Sequence, residues 1–370
     1  MENNVPPLSS TPPPLIPPAT SHRRRGKVWI WFVAGLAMIA VVGLFVVAKL
    51  ANSLSFAGVG HPGSRRADHS VHEVLIEDNH SNHKIAVIDV GGVITGQAWD
   101  GAGRNMVDLI EDELKMAADD SSVRAVILKV DSPGGEVLAS DDISRAITKF
   151  QDSSDKPVIA AMGSLAASGG YYVSAPCRWI VANELTMTGS IGVIMHGLNY
   201  RGLMDKVGIT PQVFKSGKFK DMLSGSKLPS EIDPKEREMV QSMIDETFEK
   251  FKTVVADGRE RAAKENQGEG RPLAKNWSEY ADGRIMSGKQ AFELGFVDEL
   301  GNFDAAVDRA KKIAAISSAN LIHYQQVFDL SNFLSLFGQA ESRSIKVELG
   351  MDLPKLQAGR LYFLAPTFLH

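Results

Sequence analysis

The sequence predicts an α/β fold built on a largely parallel sheet, preceded by one membrane-spanning helix. Two features predict the sheet: short continuous apolar runs recur along the chain, and stretches with apolar residues at helical spacing lie between them. Continuous rather than alternating runs mark strands buried on both faces. Strands that alternate with helices imply right-handed βαβ crossovers, because a parallel neighbour needs a long return connection.

The strand-like runs are residues 85–90, 123–130, 158–162 and 179–182. Residues 106–118 and 137–150 carry helical spacing, the second through Ile143, Ala146, Ile147 and Phe150. A longer helix is expected over 231–255, with Met239, Met243, Phe248 and Phe251 on its apolar side, and another over 304–315 after Gly301. The chain shows no internal repeat, so residues 84–317 read as a single domain, followed by a C-terminal extension over 318–370.

The N-terminal part reads differently. Residues 1–27 are rich in proline, serine and threonine and bury too little apolar surface to order themselves, which predicts a disordered tail. Arg23, Arg24, Arg25 and Lys27 then precede an uncharged run over 28–48. About 20 helical residues cross a bilayer core, so this run is long enough to span. The basic flank places the N-terminus in the cytoplasm and everything after Lys49 outside, with the anchor in the inner (cytoplasmic) membrane. A cleaved signal peptide, with Ser55-Phe56-Ala57 as its site, is the rival, but signal cores are usually only about 7–15 residues long. Residues 49–83 read as a polar linker, and His69, His72, His80 and His83 within it as solvated side chains.

With 44% hydrophobic and 23% charged residues the chain has the composition of a globular protein with a sizeable core. A net charge of −4 offers no basic footprint for nucleic acid. The single cysteine, Cys177, excludes an intramolecular disulfide, leaves too few thiolates for a zinc site, and reads as a small buried residue.

Three polar, glycine-rich segments follow strand-like runs, where folds of this class place ligands: Asp131-Ser132-Pro133-Gly134-Gly135, Gly163 to Tyr172, and Lys215 to Asp221. Ser168 precedes two glycines at the start of a helix-forming run, where free N–H groups suit an oxyanion; equally, a serine there can simply cap the helix. Pro133-Gly134-Gly135 can present N–H groups unobstructed by Cβ atoms, or be a plain turn. A nucleophilic serine needs a base, and a desolvated lysine can serve. The residues themselves do not choose among Lys215, Lys218 and Lys220.

The segments GSLAASGGYY, TGSIGVI and KSGKFKD, in that order, resemble the signal peptide peptidase A family in its short bacterial form, over roughly residues 84–307. The resemblance implies Ser168 as nucleophile, Lys220 as general base, Ser190 as the residue that orients the lysine, and Gly135 and Gly169 as oxyanion donors. It also implies a crotonase-like or Clp-protease-like fold. The activity implied is a Ser/Lys endopeptidase that needs no cofactor and cuts hydrophobic peptides such as cleaved signal peptides, with small apolar residues before the cut. Base and nucleophile would come from neighbouring subunits of a ring-shaped homo-oligomer. The proline-rich tail and its arginine-rich flank are not part of the family pattern.

Three rivals belong beside this reading. One is a membrane protease for a stomatin-like partner, and another a catalytically silent membrane scaffold. The third replaces the lysine by His196, as in a Ser-His-Asp arrangement. The apolar residues 362–366 are further expected to be able to enter an active-site groove as a product-like peptide.

Overall fold

The computed structural model describes residues 71–98, 104–326 and 361–364. Its centre is a mostly parallel sheet in which β2 (Lys84–Gly91), β3 (Val123–Ser132), β5 (Val158–Ala167) and β6 (Trp179–Ala182) lie side by side, all parallel. Successive side chains of a strand point to opposite faces, and both faces here are covered. In β3, Val126, Leu128 and Val130 join one apolar cluster, while Ala125 and Ile127 join the other.

The first cluster is roofed by α1 (Met106–Asp119) and α2 (Val137–Ser154). Helix α1 begins at a capping box: Asn105 Oδ1 accepts from the N–H of Val107 and Asp108, and Asp108 accepts in return from Asn105 N–H. Helix α2 runs four residues past the expected end at Phe150 and stops where Asp155 turns left-handed. Between β5 and β6 lies the short α3 (Gly169–Ser174), with Cys177 fully buried just after it.

Two parts of the expected domain division are corrected. The stretch read as linker up to residue 83 contains β1 (Val71–Glu77), and the stretch read as an extension from 318 contains β10 (Asn320–Gln326). Strand β10 inserts between β1 and β2, parallel to β2 and antiparallel to β1, so the sheet reaches past residues 84–317 on both sides. Long-range pairing of this kind leaves no local periodicity to read. The runs over 1–27 and 28–48 lie outside the described residues. Among the described residues no helix is long and apolar enough to cross a membrane.

The long helix, α5 (Pro234–Glu265), starts with Asp233 accepting from Lys235 N–H and with proline at its first position, where the missing donor costs nothing. Its second half is buried: Phe251 and Val255 enter the core, and Arg259 pairs with Asp298 while donating to the carbonyls of Ala175 and Cys177 at 3.3 and 3.0 Å. Its first half is not, since Met239 and Met243, expected on the apolar side, are exposed.

Candidate active site

Ser168 stands at the joint between β5 and α3 with φ 55° and ψ −116°, a conformation that costs a non-glycine residue free energy and that tertiary structure must impose. Two hydrogen bonds impose it: Ser168 N–H donates to Gly189 O, and Ser168 O accepts from Tyr172 N–H, both at 2.8 Å. Its side chain makes no capping bond to the helix it precedes. The Oγ atom is buried and has no hydrogen-bond partner among the described residues, although a buried polar group without a partner is costly. An unpaired hydroxyl on a strained turn suits attack rather than capping.

Gly135 and Gly169 are brought face to face. A Cβ on Gly169 would lie 2.7 Å from Ser140 Oγ and 3.0 Å from Gly135 N, so neither a side chain nor a looser packing fits between the two backbones. Gly134 has φ +100°, and a Cβ there would collide with the carbonyl oxygen of Phe363 and come within 2.5 Å of Gly169 N. The glycine pair is therefore not a plain turn. Residues Gly134–Glu136 form β4, an antiparallel partner of β11 (Tyr362–Leu364).

The register of that pair is informative. Hydrogen-bonded and non-hydrogen-bonded pairs alternate in an antiparallel ladder. Val137 N–H donates to Leu361 O, so the next hydrogen-bonded pair is Gly135 with Phe363. Tyr362 in between turns its backbone the other way, where Tyr362 and Ile194 exchange N–H to O bonds at 3.1 Å each. The Tyr362–Leu364 segment thus lies as a strand between β4 and Ile194, against the glycines beside Ser168. Pro366, expected in the same groove, lies outside the described residues.

Phe363 is fully buried. Its ring stacks on Tyr172 at 4.8 Å and 22° and packs against Phe251 at 4.6 Å. The Tyr172 O–H donates to Asp141 Oδ1 at 2.7 Å, and burial together with that bond pushes the phenol well above its ordinary pKa.

Ser190 is also held with positive φ, at 49°, buried, its N–H donating to Arg284 O at 2.7 Å. It directly follows Gly189, the acceptor of Ser168 N–H, so the two serines are tied through one backbone bond. Lys220 is different. It lies in an exposed segment, and the unpartnered Ser168 Oγ is not bonded to it. The structure does separate the three candidate lysines: Lys215 pairs with Asp221 at 2.7 Å and Lys218 with Asp233 at 2.5 Å, while Lys220 alone of the three makes no ion pair among the described residues. His196 is exposed as well.

Sequence reasoning did not single out Ile94 and Ile194, whose backbones frame β4 and β11. They act through N–H and C=O groups that every residue carries, so no residue type could announce them. Helical spacing puts Phe251 on the apolar side of its helix, but nothing in the sequence pairs it with Phe363.

Residues 150–317 match the model of peptidase family S49. The chain is 34% identical over 319 residues to a protein of Enterococcus faecium assigned as a signal peptide peptidase SppA, covering 84% of this chain and 87% of that one. It is 37% identical over 234 residues to a protein of Synechocystis assigned as a protease, covering 63% and 75% respectively. Among solved structures, a ClpP1 variant from Listeria monocytogenes is similar with a TM-score of 0.36 and 14% identity, covering 60% of this chain and 94% of that one.

Proposed function

The chain belongs to peptidase family S49, the signal peptide peptidase A family, and is a serine peptidase; from that premise we propose that it cuts peptides with Ser168 as nucleophile and Lys220 as base. The observation that carries this reading is the buried, unpartnered Ser168 Oγ held at positive φ next to the paired backbones of Gly135 and Gly169.

The reaction follows from these groups. A serine hydroxyl is a weak nucleophile until a base accepts its proton. Lys220 takes that proton as Oγ attacks the peptide carbonyl carbon, with Ser190 orienting the amine. Negative charge then develops on the carbonyl oxygen, where the N–H groups of Gly135 and Gly169 stabilise it, the kind of preorganised donor pair whose loss costs other hydrolases about a hundredfold or more. Lys220 returns the proton to the departing amine. Water then opens the acyl-serine by the reverse sequence.

Lys220 is exposed in its own chain, and the surrounding segment also exposes Leu198, Leu203, Val207, Phe214 and Leu223, with Phe214 95% exposed. Exposed apolar patches of this extent mark contact sites. A neighbouring copy covering this face would bring Lys220 to that copy's Ser168 and strip water from its amine, which favours the neutral base. The working unit is accordingly a ring-shaped homo-oligomer. The run over 28–48 anchors it in the inner membrane, with the catalytic part outside the cytoplasm and hydrophobic peptides such as cleaved signal peptides as substrates.

Labelling with a fluorophosphonate probe tests the nucleophile. The full chain should take up one label at Ser168, and Ser168→Ala should take up none. Labelling that survives the substitution removes Ser168 from the mechanism.

A further inference from the structure

Phe363 marks more than the path of a strand. Its carbonyl oxygen and Gly169 N crowd the same point, the place a Cβ on Gly134 would need, and the ladder pairs the Phe363 backbone with Gly135. The Phe363 carbonyl therefore lies close to both glycine backbones assigned to the oxyanion, in the ladder pair with Gly135 and near Gly169 N. A residue whose carbonyl sits there is the residue on the N-terminal side of the bond to be cut. Its side chain then reports what that subsite holds.

The side chain is a whole aromatic ring, with nothing of it exposed. Tyr172 lies nearly parallel to it, at 22° and 4.8 Å, and Phe251 packs on an adjacent side at 4.6 Å; Tyr172 and Phe251 themselves meet edge to face at 4.9 Å, so the three rings form one triangular cluster. Stacked and edge-to-face contacts of this kind favour a flat ring over an aliphatic side chain of similar area. The walls are also fixed. Tyr172 is held by its bond to Asp141, which pairs in turn with Arg145 at 3.1 Å, and Phe251 is held because the Arg259 and Asp298 pair fastens the same helix to the core. A pocket with rigid walls cannot collapse on a methyl group, so a small residue would leave it part empty.

We propose that Tyr172 and Phe251 form the specificity pocket for the residue preceding the cut, and that it selects peptides with phenylalanine or tyrosine there. This deepens the reading of Ser168 as nucleophile and rests on it. It departs from the small apolar residues that the family resemblance implies at that position.

The test uses the full chain in detergent and three fluorogenic peptides that differ only in carrying Phe, Leu or Ala before the cut. Wild-type kcat/KM should fall in the order Phe, Leu, Ala, with Phe ahead of Ala by about tenfold or more, since even a few methylene groups in an apolar pocket are worth that much. Phe251→Ala should reduce the Phe-to-Ala ratio severalfold. Phe251→Trp, which narrows the pocket, should move the preference toward Ala, so a misfolded Phe251→Ala protein leaves both the wild-type series and this variant to decide. Cleavage that persists in Ser168→Ala would overturn the nucleophile reading. Ser168-dependent cleavage with a wild-type Phe-to-Ala ratio near one, or a ratio unmoved in folded Phe251→Ala and Phe251→Trp proteins, would overturn the pocket alone.

Discussion

The backbone N–H of Ser168 donates to the carbonyl of Gly189 at 2.8 Å, and this single bond ties the segment that ends in Ser168 to the one that continues into Ser190. Strand β7 (Met187–Gly189) lies parallel to the end of β5, pairing Ala167 with Gly189, so Ser168 and Ser190 follow directly on paired strand ends, each with positive φ. A substitution that loosens this pairing would move Ser168 and Ser190, the proposed nucleophile and orienting residue, together.

Lys220→Ala should abolish peptide cleavage, a loss of about a hundredfold or more as for other general bases, while His196→Ala retains most of it. Steady-state kinetics on folded, assembled protein decides between them, and loss with His196→Ala alone would place the chemistry with histidine. Because Lys220 is exposed in its own chain, mixing Ser168→Ala with Lys220→Ala chains should restore part of the activity. Verified mixed assemblies without activity would put the whole site in one subunit.

Removing the chain from Leu361 onward should raise the initial rate of peptide cleavage, since Tyr362–Leu364 occupies the edge of β4 that a substrate strand would use. The same truncation should lower thermal stability, because Tyr362, Phe363 and Leu364 are buried. A rate equal to that of the full chain would show that the segment does not compete with substrate.

Glu113 on α1 is buried, and burial, aided by the nearby charges of Asp89 and Asp112, pushes its carboxyl up to about 8 from the ordinary 4.5. The folded state thus holds a proton that the unfolded state releases earlier. The stability this contributes is fully present below about pH 4.5 and is lost as pH rises through 8. Glu113→Gln should match the wild type near pH 5 and exceed it near pH 8.5 by an amount on the order of a few kcal/mol. Denaturant melts at both values check this, and a stability difference independent of pH would contradict it.

Reporter fusions after Ala57 test the topology expected from the basic cluster at Arg23 to Lys27. A reporter that works only outside the cytoplasm should be active there. Activity of a cytoplasm-dependent reporter would reverse the orientation.

The sequence by itself determined the elements whose signal is local. Apolar runs announced the central strands β2, β3, β5 and β6, and helical spacing announced α1 and α2, while the roles of Ser168, Ser190 and Lys220 rest on the family resemblance of three ordered motifs and are for the experiments above to test. Tertiary structure alone decided where distant pieces meet: Asn320–Gln326 between β1 and β2, Tyr362–Leu364 on β4, the exposed first half of α5, and which of three lysines stays out of ion pairs. The reason is physical. Periodicity records which face of an element is apolar, whereas its partner is chosen by backbone N–H and C=O groups common to every residue, and by the closure of loops that no local pattern encodes.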